Sequence, residues 1–425
     1  MESTASFPET LASKSPSRLE AIGIPPVLLW GFVGLLLFMI GDGVESGFLT
    51  PYLVSRGLTI GDAATISSVY GAMAAVAGWL SGALSDVWGP RRVIKIGLIL
   101  WLFFQVLFLT LGLQHAAYPA VLMTYGLRGL GYPLFAFGFL VWITLAAPKH
   151  RLASAMGWFW FAFTGGLPTL GSQVARLSIP YFGQYGTFWI ATALVLIGGA
   201  VLLIGVRDPR GSSRLIAETD NPFHALLNSV TLAWRKPKTG IACIVRVINT
   251  APEFGFFVIL PAFFQDRIGL TQAQFLTLLS AIFLSNIIWN LLFGLIGDRF
   301  GWRQTVAICG GLGCTITTLA LYYVPLATKS YGLSVVIGML YGATLAGYVP
   351  LSALAPMLAP ENRGEALSLL SLGAGGAMLV GPGLVRIFYH SVGIGGLMWI
   401  FAGLYLLSSL LAWTLTIPNE PYSEI

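Results

Sequence analysis

The residues of this chain that could do chemistry are acids and bases placed inside apolar stretches. Asp42 and Glu45 stand in the run Gly-Asp42-Gly-Val-Glu45-Ser-Gly, and Arg128 stands in Tyr-Gly-Leu-Arg128-Gly-Leu-Gly. A lone charge at the centre of a bilayer costs about 2.5 to 3.5 kcal/mol on insertion scales, so such side chains are expected to pair across a shared wet cavity. A carboxylate that is paired with an arginine can take up and release a proton. Asp42, Glu45 and Arg128 are therefore our candidates for proton coupling and for binding a solute.

The second half of the chain carries a comparable set. Arg246, Asn249 and Glu253 lie at positions i, i+3 and i+7 of an apolar run, which places them on one face of a helix. We expect Glu253 to lie level with Asp42 and to share the proton-coupling role. Amides and aromatic rings suit a neutral, polyhydroxylated solute, because they form hydrogen bonds in both directions and offer flat apolar surface. The remaining candidates for solute binding are Trp160, Gln173, Asn286 and Asn290.

Each of these residues also has a purely structural interpretation. Arg128 could form an ion pair that only holds helices together, and Arg246 could extend its guanidinium toward the membrane surface. Asn286 and Asn290 could join neighbouring helices by hydrogen bonds. The aromatic run around Trp160 could face lipid.

The composition determines which elements must position these side chains. Hydrophobic residues make up 56% of the 425 residues and charged residues only 9%, and the mean hydropathy is +0.80. Such a chain has too little polar surface for a soluble globule, so we expect an integral membrane protein. The net charge of +6 reflects basic segments between apolar runs and does not indicate nucleic-acid binding. Three cysteines and four histidines show no metal-ligand spacing, and we expect neither a metal nor another cofactor.

Twelve apolar runs are long enough to span a bilayer. They lie at about 26–54, 63–85, 92–113, 117–147, 150–178, 182–205, 239–265, 272–297, 303–326, 331–359, 362–390 and 394–416. We number them spans 1 to 12. The predicted fold is an all-α membrane protein with two pseudo-symmetric six-helix bundles at 25–206 and 239–417. The polar segment 207–238 is expected to be a cytoplasmic linker, with a disordered tail at 1–24 and a second tail at 418–425.

A charged motif after span 2 recurs after span 8. The first copy is carried by Gly82, Asp86, Gly89, Arg91 and Arg92. In the second copy Asp298, Gly301 and Arg303 stand 212 residues after Asp86, Gly89 and Arg91, and 212 is half the chain length. The chain is therefore expected to be one unit duplicated. We expect Asp86 to meet the amino terminus of a neighbouring helix and the side chains of Arg91 and Arg92.

The distribution of Lys and Arg predicts the orientation. With the amino terminus inside, sixteen of the 23 basic residues fall on the cytoplasmic side and five on the other side. The remaining two, Arg128 and Arg246, lie within spans. This bias places both termini in the cytoplasm.

The duplicated motif and the six-plus-six arrangement resemble the major facilitator superfamily. Within that superfamily, the segments around Asp42 and Arg128 and the run Gly157-Trp-Phe-Trp-Phe-Ala-Phe-Thr-Gly-Gly-Leu-Pro168 are similar to the bacterial polyol permease group, the ribitol and arabinitol transporters. The resemblance implies proton-coupled uptake of a pentitol or similar sugar alcohol across the bacterial inner membrane. It also implies that the Asp86 motif and its copy at Asp298 and Arg303 form a conformational latch.

The expected mechanism is symport by rocking of the two bundles around a central site. Protonation of Glu45 or Asp42, released from Arg128, would neutralise the cavity and let it reorient. Two other transport classes stay open, a proton-driven exporter of amphipathic compounds and an uncoupled facilitator. A membrane enzyme or sensor is disfavoured, because no histidine lies near a mid-span acid. We expect a monomer.

Overall fold

The computed structural model describes residue 19 and residues 24–115, 117–147, 152–213 and 222–417. The predicted tail at 418–425 and almost all of the tail at 1–24 lie outside these ranges. Residues 214–221 of the predicted linker also lie outside them, as do Lys149 and Arg151 from the charge count. The description below concerns the described ranges.

Ten helical segments are long and apolar enough to cross a membrane. They are Pro26–Gly43 (α1), Ile60–Trp88 (α2), Pro90–Gly112 (α3), Tyr118–Ala146 (α4), Ser154–Gly205 (α5 and α6), Pro237–Ile268 (α7), Gln272–Phe300 (α8), Trp302–Thr328 (α9), Tyr331–Leu358 (α10) and Glu365–Trp413 (α11 and α12).

Two of the ten segments contain two spans each. Gly183 separates α5 (154–182) from α6 (184–205), and Gly393 separates α11 (365–392) from α12 (394–413). Their φ angles are 68° and 64°, in the region that glycine adopts without a steric penalty. The side chains of Ser178 and Thr187 are hydrogen-bonded at 3.0 Å across the first of these turns, so the chain folds back there. The prediction of twelve transmembrane helices is confirmed.

Each half of the chain packs around its own apolar core. Trp101 and Phe135 are fully buried in the first core, and Phe401 and Tyr405 in the second. The ends of α6 and α12 lie on the same side as the linker, which we call the linker face. The opposite side, where α1 ends and α2 begins, is called the distal face.

Span 1 is not the continuous helix that the sequence predicted. Helix α1 ends at Gly43, residues 44–48 form turns, and a short helix, Leu49–Ser55, completes the span. The interruption lies where α5 widens into a π-helical turn at Gly165–Leu170. A Cβ at Gly43 would lie 1.6 Å from the carbonyl oxygen of Leu167, so the two backbones touch there. Glu45 therefore lies in the turn, not on a helical face shared with Asp42.

Span 4 is interrupted in the same way. One helix covers Tyr118–Arg128 and the next covers Gly131–Ala146, with Gly129 and Leu130 in a turn between them. Non-helical backbone inside a membrane is tolerated where it is buried in protein or lines a cavity. Arg128 is the last residue before this interruption.

The two halves are in contact over the distal part of the molecule. Gln173 donates to Ser280 at 2.7 Å, and Gln184 donates to Gln272 at 3.2 Å, which joins α5 and α6 to α8. A Cβ at Gly71 on α2 would lie 2.3 Å from the carbonyl oxygen of Met378 on α11. Toward the linker face, a Cβ at Gly82 on α2 would meet no atom within 4 Å. The two halves therefore close against each other at the distal face in the described structure.

The linker is more ordered than its polar sequence predicted. Trp142 and Arg210 both donate to the carboxylate of Asp208, at 3.3 and 2.9 Å. Burial raises the pKa of this carboxylate, but these hydrogen bonds outweigh it and leave the pKa below its usual value. A helix at Pro222–Arg235, the linker helix, then precedes α7.

Candidate functional site

Glu45 and Arg128 form a buried ion pair between the interruptions of α1 and α4. Arg128 Nη1 donates to Glu45 Oε2 at 2.9 Å, and Nη2 donates to Glu45 Oε1, so the contact is bidentate. Arg128 has no exposed surface, and Glu45 is 4% exposed. Removing two charges from water carries a large desolvation cost, which only good geometry and further hydrogen bonds can offset.

A shell of polar and aromatic side chains supplies those further interactions. Tyr125 donates to Glu45 Oε1 at 2.7 Å, and Gln105 on α3 accepts a hydrogen bond from Arg128 Nη1. The Arg128 Cζ atom lies 4.4 Å from the ring centroid of Tyr125 and 5.0 Å from that of Trp101. Cations are attracted to such ring faces, especially where water is excluded.

Asp42 lies beside the pair without joining it. Trp101 Nε1 donates to Asp42 Oδ1 at 2.6 Å, and the Tyr70 hydroxyl donates to the same oxygen at 3.4 Å. The ion pairs of the described residues do not include one between Asp42 and Arg128. Asp42 is 7% exposed. The structure thus brings Asp42, Glu45 and Arg128 into one cluster, in which neutral donors hold one acid and the arginine holds the other.

A row of tyrosines connects this cluster to the second half of the chain. The ring of Tyr70 lies 4.9 Å from that of Tyr125 and 6.2 Å from that of Tyr132. The hydroxyl of Tyr132 donates to the sulfur of Met378 on α11 at 3.0 Å. The ion pair is therefore connected by packed side chains to the distal closure between α2 and α11.

In the second half, Arg246, Asn249 and Glu253 line one face of α7. Arg246 Nη1 donates to Asn249 Oδ1 at 2.6 Å. Within the described residues, neither Arg246 nor Glu253 takes part in an ion pair, and no hydrogen bond reaches the Glu253 carboxylate. Both side chains are only half-buried. This face of α7 therefore presents a cation and an acid that have no salt-bridge partner in the described protein.

The predicted amides lie at helix contacts. Asn286 donates to the carbonyl oxygen of Gly342 on α10 at 3.1 Å, and Asn290 donates to Asn286 at 3.2 Å. Gln173 contacts Ser280 in the distal closure. Trp160 is 47% exposed and packs edge-on against Phe163, outside the Glu45 cluster. The structure does not bring these four residues together with Asp42, and their binding of a solute stays a prediction.

Asp86 does not pair with the arginines of its own motif in the described structure, and the role of this motif as a conformational latch stays a prediction. No hydrogen bond or ion pair joins Asp86 to Arg91 or Arg92 among the described residues, and Arg91 instead donates to the carbonyl oxygen of Leu203 at 2.8 Å. In the second copy, Trp302 donates to Asp298 at 2.8 Å, and Arg303 lies over the ring of Trp413. The expected contacts of Asp86 are thus absent while the distal side is closed.

Two members of the cluster were missed from the sequence. Trp101 and Gln105 lie four residues apart on α3, on one helical face. A glutamine within an apolar run was the available signal for Gln105. The sequence offered no such signal for Trp101, because tryptophan is equally typical of a membrane interface.

Asp42 and Glu45 are the two protonatable acids of the cluster, and their role in proton coupling stays a prediction. Two carboxylates lie within one hydrogen-bonded shell, and protonation of either changes the net charge facing Arg128. Among the described residues, no group of three or more His, Cys, Asp or Glu side chains is placed to hold a metal ion.

Comparison with known proteins places this arrangement in a family. Residues 31–245 and 242–425 match the model of the Major Facilitator Superfamily. The chain is 42% identical to the alpha-ketoglutarate permease of Bacillus subtilis (strain 168), over 95% of this chain and 92% of the permease. It is 33% identical to the D-arabinitol transporter of Klebsiella pneumoniae, over 96% and 97% of the two chains.

A solved structure has the same fold. The crystal structure of a D-xylose-proton symporter superposes with a TM-score of 0.70 at 20% identity, covering 95% of this chain and 98% of that one. The resemblance to polyol transporters inferred from the sequence is confirmed by the arabinitol relative. The chain belongs to the Major Facilitator Superfamily and is a multi-pass membrane transporter, not an enzyme.

Proposed function

We propose that this protein takes up a small hydrophilic solute together with protons, by alternating access in the bacterial inner membrane. Both termini lie in the cytoplasm, the linker face is the cytoplasmic face, and the monomer is the working unit. The first candidate solute is a sugar alcohol such as a pentitol.

The observation that carries this proposal is the buried pair of Glu45 and Arg128 at two helix interruptions. A proton delivered to Glu45 removes one of the two charges, and Arg128 keeps Gln105 as an acceptor. The bidentate contact is weakened, and the interrupted helices lose a bond that holds them in register. Asp42 provides a second protonation site in the same shell, and Glu253 provides one in the second half. A ligand or proton shifts a conformational equilibrium only by its difference in affinity for the two states, and these acids provide that difference.

A neutral polyol is favoured by the polar atoms and rings of the Glu45 cluster and of α7 and by the arabinitol relative. Because Arg128 is neutralised by Glu45, it presents no unpaired charge to the solute. Hydroxyl groups of a polyol can donate to Asp42 or Glu253 and accept from Asn249 and Arg246.

A second candidate is a small dicarboxylate. Arg246 has no carboxylate partner among the described residues and is only half-buried. A guanidinium in that state is suited to bidentate binding of a carboxylate. The relative at 42% identity is named as an alpha-ketoglutarate permease. This relative and Arg246 together favour an anionic solute.

The deciding experiment is uptake into proteoliposomes of labelled ribitol, arabinitol, hexitols, aldoses and alpha-ketoglutarate. A membrane potential of 100 mV supplies about 2.3 kcal/mol per charge. At about 1.4 kcal/mol per tenfold, one proton then supports roughly fifty-fold accumulation of a neutral solute.

A dianion carried with two protons moves no net charge, so a pH gradient drives its uptake and a potential alone does not. Equal uptake with and without gradients would indicate a facilitator, and dye extrusion without uptake would indicate an exporter.

Arg246 separates the two candidates with a matched control. Arg246→Gln should abolish alpha-ketoglutarate uptake and leave pentitol uptake within a few fold if the site serves both. Arg267→Gln removes an exposed arginine near the distal end of α7 and should change neither. If Arg246→Gln transports alpha-ketoglutarate like the parent protein, the dicarboxylate assignment is wrong.

A further inference from the structure

The linker helix, Pro222–Arg235, exposes an apolar stripe that no described part of the protein covers. Leu227, Val230 and Trp234 lie at i, i+3 and i+7 and are 57%, 36% and 82% exposed. This spacing places them on one face of the helix. Apolar residues of this size cluster on an exposed surface where they meet a membrane or another protein.

The opposite side of the linker helix is attached to the protein. Leu232 is 1% exposed and packs against Ala359 and Ala366, at the linker-side ends of α10 and α11. The helix therefore has a defined inner side, and the apolar stripe faces away from it. The outward side thus carries Leu227, Val230 and Trp234, which an apolar medium outside the protein would cover.

The position of the helix identifies that medium. Lys236 is the one residue between the linker helix and α7, which begins at Pro237 and crosses the membrane. Thr239 Oγ1 donates to the carbonyl oxygen of Leu232 at 3.3 Å, so the last turn of the linker helix lies against the first turn of α7. Trp234 is consequently level with the membrane end of α7. Fourteen residues extend about 21 Å, too short to cross a core of about 30 Å, so the helix cannot span it.

The charges around the stripe match a lipid surface. Arg235 and Lys238 are exposed on the same turn of chain, and Lys236 is paired with Glu361 at 3.4 Å. Tryptophan next to basic residues is the composition of interfacial helices, in which the ring lies at headgroup level and the cations meet anionic headgroups.

We propose that the linker helix is an interfacial membrane anchor, with Leu227, Val230 and Trp234 inserted between the lipids and Arg235 among anionic headgroups. The helix contacts α2 of the first half as well as α11 of the second. The bilayer surface then holds the one described connection between the halves at a fixed depth.

The test uses full-length protein in nanodiscs containing phosphatidylglycerol. Cys243, Cys309 and Cys314 are first replaced by serine, and this background must stay monodisperse with an unchanged unfolding temperature. Leu227→Cys, Val230→Cys, Trp234→Cys and the control Arg235→Cys are then spin-labelled one at a time. The proposal predicts that oxygen accessibility exceeds nickel-chelate accessibility at the first three positions and that the order is reversed at Arg235→Cys.

Two results would overturn the anchor. Nickel accessibility at all three stripe positions would place them in water, and exclusion of both reagents would place them against a second protein surface.

An independent measurement without a spin label checks that the label itself has not displaced the helix. Trp234→Phe in the native background should remove a component of the fluorescence that lipids brominated near the headgroup quench, and an unchanged quenched fraction would also contradict the proposal.

Discussion

Glu45 and Arg128 meet where two transmembrane helices are interrupted at the same depth. Glu45 follows the end of α1 at Gly43, and Arg128 is the last residue before the turn at Gly129. Each interruption frees backbone groups that a continuous helix would satisfy, so the ion pair stands beside non-helical backbone in both helices. A change in the charge of the pair therefore acts directly beside these two turns.

Removing the arginine should be costly for stability. Arg128→Ala leaves the Glu45 carboxylate buried with Tyr125 as its remaining donor, and breaking a buried pair from one side costs about 3–5 kcal/mol. Thermal unfolding in detergent should show a large loss. Arg128→Met combined with Glu45→Gln should recover part of it, because no unpaired charge is left. Equal unfolding temperatures for the parent and Arg128→Ala would show that the pair is not formed.

The close approach of α1 and α5 gives a second prediction. Gly43→Ala places a methyl group 1.6 Å from the carbonyl oxygen of Leu167, and the backbones must separate. Overpacking of this kind costs about 1–3 kcal/mol and should also lower uptake, because it shifts the turn that carries Glu45. Gly157→Ala is the matched control, since its Cβ would meet no atom within 4 Å. If both variants unfold like the parent, the two helices do not touch at Gly43.

The distal closure can be locked chemically. The Cβ of a residue at position 375 would lie 3.1 Å from the Cβ of Ala75, and a disulfide needs about 3.5–4.5 Å, so Ala75→Cys with Gly375→Cys should form a disulfide across α2 and α11 after a small separation of the two backbones. The oxidised double variant should bind solute from the linker face but transport none, and a reductant should restore transport. The two single variants are the controls. Undiminished transport by the crosslinked protein would mean that this contact does not have to open.

The sequence predicted the helices and the charged residues of this site better than the contacts between those residues. Hydropathy predicted the twelve spans, and residue type marked Asp42, Glu45 and Arg128 as charged side chains inside them. Both inferences need only the local sequence and no knowledge of neighbouring helices. Which donor meets which acid depends on how the helices pack, and for that reason Trp101 was not foreseen as the partner of Asp42.

Interruptions and short helices were harder to predict. Residues 44–48 include Glu45, Ser46 and Gly47 within a long apolar run, and their turn lies where the backbone of α5 touches that of Gly43. The segment 207–238 was predicted as a linker because it is polar, and the helix at Pro222–Arg235 within it was not predicted, because its 14 residues are too few for a span. Asn286 and Asn290 were candidates by residue type, and the structure adds their hydrogen bonds to Gly342 and to each other, while solute binding by them stays a prediction.

The most direct test measures proton movement on addition of solute to proteoliposomes without an imposed gradient. The account predicts that the parent protein and Glu361→Gln, which alters an acid whose side chain is 86% exposed, take up protons with the solute. Glu45→Gln and Asp42→Asn should each lose uphill accumulation, and at least one should retain counterflow exchange of labelled solute. Full proton-coupled accumulation by both Glu45→Gln and Asp42→Asn would contradict the assignment of this cluster as the coupling site.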